Sequence, residues 1–168
     1  MLRLLLLRHA QAERSQPGEG DLARRLTDRG RDDAARLGGY MQAQSLTPDA
    51  AVVSPAARTR ETFGLVAKAL TQAPEASWDD RLYNAAPADI LKVIHDTPAK
   101  VGSLLVVGHN PGLHELAAAL IASGERLDEG MPTATLAVID FTDKSWGELK
   151  PHSGKLERFV TARGLAAD

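Results

Sequence analysis

The sequence contains no cysteine, and this absence excludes a whole class of chemistry. Without thiols the chain can form no disulfide, no thiolate metal site and no cysteine nucleophile, so any covalent catalysis must use another side chain. Neither sign of charge dominates, because 20 Lys and Arg face 22 Asp and Glu, for a net charge of -2. This balance gives no electrostatic case for nucleic acid as the main partner.

Long apolar runs are also lacking. No stretch approaches the roughly 18 apolar residues of a membrane span, so we expect no membrane contact. The leucines at 4–7 lie between Arg3 and Arg8, and this run is shorter than the about 7–15 apolar residues of a signal-peptide core. We therefore expect a cytoplasmic protein.

The motifs of several common cofactor sites are missing as well. The sequence has no G-x-x-x-x-G-K-[ST] loop and no G-x-G-x-x-G fingerprint, so nucleotide hydrolysis and dinucleotide binding have no support. His109 and His114 are five residues apart, which does not match the H-E-x-x-H spacing of a zinc site. We expect neither a metal nor another cofactor.

Short apolar runs alternate with stretches of helical periodicity along the whole chain. Buried strands are predicted at residues 4–7, 50–53, 101–107 and 133–141, and further strands at 76–82 and 147–149. Helices are predicted at about residues 28–45 and 55–70, from residue 87 onward, and at about 111–123. This alternation predicts an α/β fold, a single three-layer α/β/α domain over residues 1–168 with a mostly parallel sheet and helices on both faces.

Three of the predicted helices carry start signals. Thr27, Ser54 and Asn110 are favourable N-cap residues. Pro55 and Pro111 directly follow the last two, at the first helical position, where proline is well tolerated. We expect all three polar side chains to cap the helices that follow them.

Basic residues come where three predicted strands end. Arg8 and His9 follow the first strand, Arg58 lies in the first turn after the second, and His109 follows the strand at 101–107. Because the carboxyl ends of parallel strands meet at one edge of the sheet, these four side chains should converge. A cation at a helix N-terminus, such as Arg58, opposes the helix dipole, and a bound phosphate would resolve that conflict.

Two guanidinium groups and two imidazoles form an anion pocket whose donors suit phosphate best. Such a pocket could bind phosphate without any chemistry. With cysteine absent and no serine next to a suitable base, a neutral histidine is the best available nucleophile toward phosphorus. Taken alone, the pair Arg24-Arg25 is typical of a loop end that is exposed to solvent and not of a ligand contact.

Three segments of the chain, in order, resemble motifs of one known family. Arg8 to Ala10 resembles the Arg-His-Gly signature of the histidine phosphatase superfamily, whose fold is also called phosphoglycerate-mutase-like. Residues 54–62 resemble its second motif and residues 108–111 its third. The short chain and residues 26–27 and 82–85 are similar to the small bacterial phosphohistidine phosphatases of the SixA type.

The resemblance implies a role for each matching residue. His9 would be the nucleophile that is transiently phosphorylated, Arg8 and Arg58 would bind the phosphoryl oxygens, and His109 would donate to them. Arg24 looks like an additional phosphate contact of the SixA type. The implied activity is that of a metal-independent phosphatase that acts on phosphohistidine in a protein, such as a histidine phosphotransfer domain, or on a small phosphorylated substrate.

Two departures from the family pattern leave alternatives open. Ala10 stands where the family has glycine, and Asn84 stands where larger members supply a Glu or Asp general acid. Asp79 and Asp80 precede that position and are the first carboxylates to test. A small-molecule phosphomonoesterase with the same His9 chemistry, or a non-catalytic module that binds phosphate or a phosphoprotein, therefore remain possible.

Overall fold

The chain folds around a mixed six-stranded sheet in a computed structural model, which describes residues 1–125, 127 and 130–166. The strands are β1 Leu2–Arg8, β2 Ala50–Val53, β3 Ala76–Trp78, β4 Ser103–Gly108, β5 Thr135–Phe141 and β6 Lys155–Thr161. Their order across the sheet is β3-β2-β4-β1-β5-β6. Strands β3, β2, β4 and β1 are parallel, β5 is antiparallel to β1, and β6 is antiparallel to β5.

Helices cover both faces of this sheet, as predicted. In the described part of the chain they are α1 Asp28–Ala43, α2 Ala57–Ala69, α3 Pro87–His95, α4 Gly112–Leu120 and α5 Ala162–Ala166. The apolar faces of α1, α2 and α5 contribute to the core on one side of the sheet, and those of α3 and α4 to the core on the other. Among these helices none is both long and apolar enough to cross a membrane.

Strand β1 lies in the middle of the sheet, between β4 and β5. Leu4 and Leu6 face one core and Leu5 and Leu7 face the other, because successive side chains of a strand point to opposite faces. All four leucines are buried. This explains why the strand is a continuous apolar run without a polar face.

Strands β1, β2 and β4 end together at one edge of the sheet. Arg8 lies beside Gly108 in the register of β1 with β4, and Val53 lies beside Val107 in the register of β2 with β4. One residue beyond β1, the backbone N–H of His9 still donates to the Gly108 carbonyl oxygen at 3.2 Å. The residues that follow these strands are therefore brought to neighbouring positions.

One of the three predicted N-caps is confirmed, and the other two are wrong. The Thr27 hydroxyl caps α1 by accepting a hydrogen bond from the Gly30 N–H at 3.0 Å. Ser54 and Asn110 are not N-caps, because α2 and α4 each begin further along the chain than predicted. The Ser54 hydroxyl accepts a long hydrogen bond from the Ala56 N–H at 3.4 Å, and both side chains form shorter bonds to residues distant in sequence.

The outer strands differ from the prediction in two ways. The strand predicted at 147–149 is wrong, because Trp146–Glu148 form a short 3-10 helix that starts at the buried Trp146, and the edge strand is β6, further along the chain. The strand predicted at 76–82 stops after three residues, where the Asp79 carboxylate caps another 3-10 turn. These outer strands are short or half exposed, so their sequences carry little apolar alternation.

Helices α1 and α2 pack against each other at a glycine. A Cβ atom at Gly38 would lie 2.9 Å from the Val66 backbone and 2.9 Å from the Ala69 side chain. Gly39, the next residue, is exposed and would have nothing within 4 Å of such an atom. The two glycines therefore share a helix but differ in what they contact.

We expect opposite effects of alanine at these two positions. Gly39→Ala should raise the free energy of unfolding by about 0.5–1 kcal/mol, because alanine loses less backbone entropy in a helix. Gly38→Ala should lower it by about 1–3 kcal/mol, because the added methyl group forces α1 and α2 apart. Urea unfolding of both variants measures the difference, and equal stabilisation by both would contradict the close helix contact.

Candidate active site

The structure brings Arg8, His9, Arg58 and His109 together at the edge of the sheet where β1, β2 and β4 end. Arg8 is the last residue of β1, His9 follows it, His109 follows β4, and Arg58 lies in the first turn of α2. The ring centroids of His9 and His109 are 5.3 Å apart. Three of the four side chains are more than nine-tenths buried, and Arg8 is partly exposed.

His9 is held as a neutral imidazole with a defined tautomer. Its Nδ1 lies 2.7 Å from the carbonyl oxygen of Ala10, which can only accept, so Nδ1 carries the proton and Nε2 keeps its lone pair. Burial lowers the pKa of His9 to about 4, and the positive charges of Arg58, Arg8 and Arg24 act in the same direction. At neutral pH the unprotonated Nε2 is available as a nucleophile.

Buried hydrogen bonds fix the backbone next to His9. The Ala10 N–H donates to the Thr62 hydroxyl oxygen at 3.0 Å, and that hydroxyl donates to the Arg58 carbonyl oxygen at 2.7 Å. Ala10 is completely buried and does not have a positive φ. Alanine therefore replaces the glycine of the family signature without backbone strain, and this departure leaves the site intact.

His109 is oriented by Ser54, a residue that was predicted to cap α2. The Ser54 hydroxyl and the His109 Nε2 are 2.7 Å apart. Burial lowers the pKa of His109 to about 3, and the charge of Arg58 adds to the effect. Its Nδ1 is buried and has no hydrogen-bond partner in the part of the chain that the structure describes. Like His9, this ring is neutral at physiological pH.

Asp21, which the sequence analysis did not identify, accepts two hydrogen bonds from the guanidinium group of Arg58. Arg58 donates from Nη1 to the Asp21 carbonyl oxygen at 2.9 Å and from Nη2 to Asp21 Oδ2 at 3.0 Å. The Tyr83 hydroxyl donates to the same Oδ2, and Arg24 donates to Oδ1 at 3.2 Å. The hydrogen bond from Tyr83, followed by those from Arg24 and Arg58, holds the pKa of Asp21 well below its usual range.

A sequence signal for Asp21 exists but is weak. The residue ends the polar loop after β1, at the edge of the sheet where ligands usually bind in α/β proteins. It also precedes Arg24 by three residues, the spacing of a local ion pair. Neither feature indicates contact with Arg58, which is 37 residues away in the sequence.

The other two arginines differ in their surroundings. Arg8 donates from Nη1 to the Met131 carbonyl oxygen at 2.9 Å, and burial lowers its pKa. Arg24 donates from Nε to the Glu13 carbonyl oxygen at 2.7 Å and reaches the site through Asp21. Arg24 therefore borders the pocket instead of lining its centre.

Asp79 and Asp80, which precede the expected acid position, form no hydrogen bond or ion pair with Arg8, His9, Arg58 or His109. Asp79 pairs with Arg81 at 2.8 Å and Asp80 is exposed. Asn84 borders an open cleft of about 360 Å³ that runs beside His109. Among the residues that the structure describes, no cluster of three or more His, Asp or Glu side chains could hold a metal ion.

The arrangement suits a phosphoryl group. Two guanidinium groups provide charge and forked donors for its oxygens. Two neutral imidazoles lie beside them, and one of these presents a ring nitrogen with a free lone pair. The site can therefore bind an oxyanion and offers a nucleophile in the same pocket.

Comparisons with known sequences found similar proteins. Residues 4–87 match the family model described as the histidine phosphatase superfamily, branch 1. An uncharacterised protein of Mycobacterium tuberculosis is 34% identical over 164 residues, which cover 94% of this chain and all of the relative.

Solved structures extend the likeness over nearly the whole chain. A candidate phosphohistidine phosphatase SixA from Agrobacterium tumefaciens superposes with a TM-score of 0.80 at 30% identity, over 95% of this chain and 98% of that one. A second, from Nakamurella multipartitia, has a TM-score of 0.82 at 28% identity, over 95% of each chain. The protein histidine phosphatase SixA complexed with tungstate, at 22% identity and a TM-score of 0.78, shares the fold over 98% of this chain and 99% of its own.

The two neutral histidines predict a loss of stability in acid. An unfolded histidine has a pKa of about 6.5, whereas folding lowers the pKa values to about 4 for His9 and about 3 for His109. As the pH falls below about 6.5, the unfolded chain binds protons that the folded chain does not. The free energy of unfolding should therefore decrease by up to about 1.4 kcal/mol per pH unit for each histidine.

Denaturant titrations at about pH 7.5, 6 and 5 measure this dependence. His9→Asn removes one titrating group and retains a donor for the Ala10 carbonyl oxygen, so its stability should fall less steeply with acidification. Equal slopes for the variant and the wild type would show that His9 is not held neutral by the fold.

Proposed function

The chain belongs to the histidine phosphatase superfamily and is of the SixA type, and from this we propose that it is a metal-independent phosphatase with His9 as the nucleophile. The main support is the protonation state of the His9 ring. The hydrogen bond from Nδ1 to the Ala10 carbonyl oxygen leaves the His9 Nε2 unprotonated beside the cations of the pocket. Both a free lone pair and nearby positive charge are needed to attack a phosphoryl group, whose oxygens are negative.

In the first step the lone pair of His9 Nε2 forms a bond to phosphorus. The bond from phosphorus to the leaving group breaks, and its electron pair departs with that group. The guanidinium groups of Arg8 and Arg58 neutralise charge on the equatorial oxygens. Hydrolysis of the phosphorylated histidine then restores the enzyme and releases phosphate.

His109 donates a hydrogen bond to the phosphoryl group in this proposal. The Ser54 hydroxyl can donate to His109 Nε2, 2.7 Å away, which places the proton of the neutral ring on Nδ1. That nitrogen has no partner within the described ranges and is the donor that we assign. Arg24, at the border of the pocket, is an outer phosphate contact.

We infer that the substrate is phosphohistidine in a protein, such as a histidine phosphotransfer domain. The similarity to candidate phosphohistidine phosphatases supports this choice. The chemistry of the leaving group supports it too. An alkoxide needs a proton as it departs, whereas an imidazole already protonated on its other nitrogen leaves as a neutral molecule. The Asn84 side chain, where larger relatives have an acid, is compatible with such a substrate.

The first test compares wild-type protein with His9→Asn on a phosphohistidine-bearing phosphotransfer domain and on a panel of aryl and alkyl phosphates. Wild type should release phosphate from the domain and retain acid-labile, base-stable label, whereas His9→Asn should do neither. His95→Asn is the matched control, since that ring contacts the Leu149 carbonyl oxygen outside the pocket.

Each other result has a definite meaning. Wild-type turnover by His9→Asn would remove His9 from its role. Hydrolysis of small phosphates alone would identify a phosphomonoesterase. Phosphate binding with no turnover of any substrate would identify a binding module.

The second test measures inhibition by vanadate in Arg58→Ala and Arg60→Ala. Arg58 is 5% exposed in the pocket, whereas the Arg60 guanidinium lies over the Trp78 ring, 4.7 Å from its centroid. Loss of a charge-assisted hydrogen bond costs about 1.5–3 kcal/mol. The inhibition constant should therefore rise about 10-fold to 150-fold in Arg58→Ala and remain near the wild-type value in Arg60→Ala. Equal inhibition of two folded variants would contradict phosphate binding by Arg58.

A further inference from the structure

The Asp21 carboxylate is hydrogen-bonded within the pocket, yet the steps described above give it no role. Its Oδ2 accepts from Arg58 and Tyr83, and its Oδ1 accepts from Arg24. The Tyr83 ring in turn packs edge-on against His109, with centroids 5.6 Å apart. The Asp21 side chain nevertheless remains 44% exposed, so water can reach it.

Asp21 and a phosphoryl group can share the guanidinium group of Arg58. Asp21 accepts one hydrogen bond from each Nη atom, and the buried Nε has no partner among the described residues. Because a guanidinium group carries five N–H donors, Arg58 can bind a phosphoryl oxygen while it stays paired with Asp21. Asp21 then lies beside the phosphoryl group.

A bound phosphoryl group changes the proton affinity of Asp21. In the resting site its hydrogen bonds with Tyr83, Arg24 and Arg58 keep its pKa low, so the side chain is ionised and has no proton for a leaving group. With an anion alongside, the pKa rises, because like charge disfavours the ionised form. The carboxylate thus becomes a better proton acceptor once the phosphoryl group is in place.

We propose that Asp21 is the general base that accepts the proton of the water that hydrolyses phosphorylated His9, an assignment that rests on the proposed function. The water oxygen forms a bond to phosphorus as the bond from phosphorus to His9 Nε2 breaks, and that electron pair returns to the ring nitrogen. The water proton passes to an oxygen of Asp21 and then to solvent. Phosphate leaves, and the site returns to its resting state.

The two half-reactions depend differently on Asp21. Phosphorylation of His9 by phosphohistidine or by an aryl phosphate needs no acid, because these leaving groups depart without one. Hydrolysis of the phosphoenzyme needs a base for the water, and base catalysis contributes roughly 10²–10⁴-fold to a rate. Loss of the Asp21 carboxylate should therefore slow the second step while it leaves the first within a few-fold.

Asp21→Asn tests this with p-nitrophenyl phosphate as the probe in rapid-quench kinetics. We expect a first-turnover release of nitrophenol close to the wild-type rate, then steady-state turnover reduced about 100-fold or more. With a radiolabelled phosphohistidine domain, the variant should accumulate labelled phosphoenzyme at steady state. Asp28→Asn is the matched control, because Asp28 is fully exposed and pairs with Arg31 at 2.9 Å in α1.

Three outcomes would overturn the assignment. Unchanged or faster turnover with tighter phosphate inhibition would show that Asp21 only occupies Arg58 until substrate arrives. A first turnover slowed as much as the steady state would place Asp21 before the phosphoenzyme. Absence of phosphoenzyme in wild type, Asp21→Asn and Asp28→Asn alike would instead remove the His9 mechanism itself, and the proposed role of Asp21 with it.

Discussion

The parallel pairing of β1 with β4 is the constraint on which the rest of this structure depends. Each leucine of β1 is buried on one face or the other, so a shift of one residue would exchange the two cores. The same register places Arg8 opposite Gly108 and so brings His9 and His109 together just beyond the strand ends. The hydrophobic effect, acting on residues that have no role in chemistry, thus positions the polar ones.

Electrostatics in the pocket follow from two buried imidazoles that lie near several cations. Burial is the main reason why the pKa values of His9 and His109 are low, and the charges of Arg58 and Arg8 add to the effect. Asp21 offsets part of this charge in the resting site through Arg58 and Arg24. Neutral histidines and an ionised aspartate are therefore the expected state of an unliganded site.

Several residues serve the site in ways that differ from their local sequence preference. Ser54 and Asn110 have the residue types of helix caps, yet Ser54 bonds to His109 and Asn110 donates to the Met131 carbonyl oxygen at 2.7 Å. Thr62, in the middle of α2, links the Ala10 N–H to the helix backbone. Neither α2 nor α4 has a hydrogen bond from an N-cap side chain, so the contacts of Ser54 and Asn110 with other elements take the place of capping.

The layered α/β architecture, the central strands and the convergence of Arg8, His9, Arg58 and His109 could all be predicted from the sequence. These follow from apolar runs that must be buried and from the common edge at which parallel strands end. The outer strand β6 was not predictable, because a half-exposed edge strand needs few apolar residues.

The tautomer of His9, the partner of His109 and the position of Asp21 could not be predicted, because they depend on how the elements pack. The partners of His109 and Arg58 lie 55 and 37 residues away in the sequence. The tautomer of His9 follows from its bond to Ala10, the next residue, and from burial by the packed chain. Hydrogen bonds depend on distances of a few tenths of an ångström, which the packing of whole elements sets and no local pattern of residues encodes.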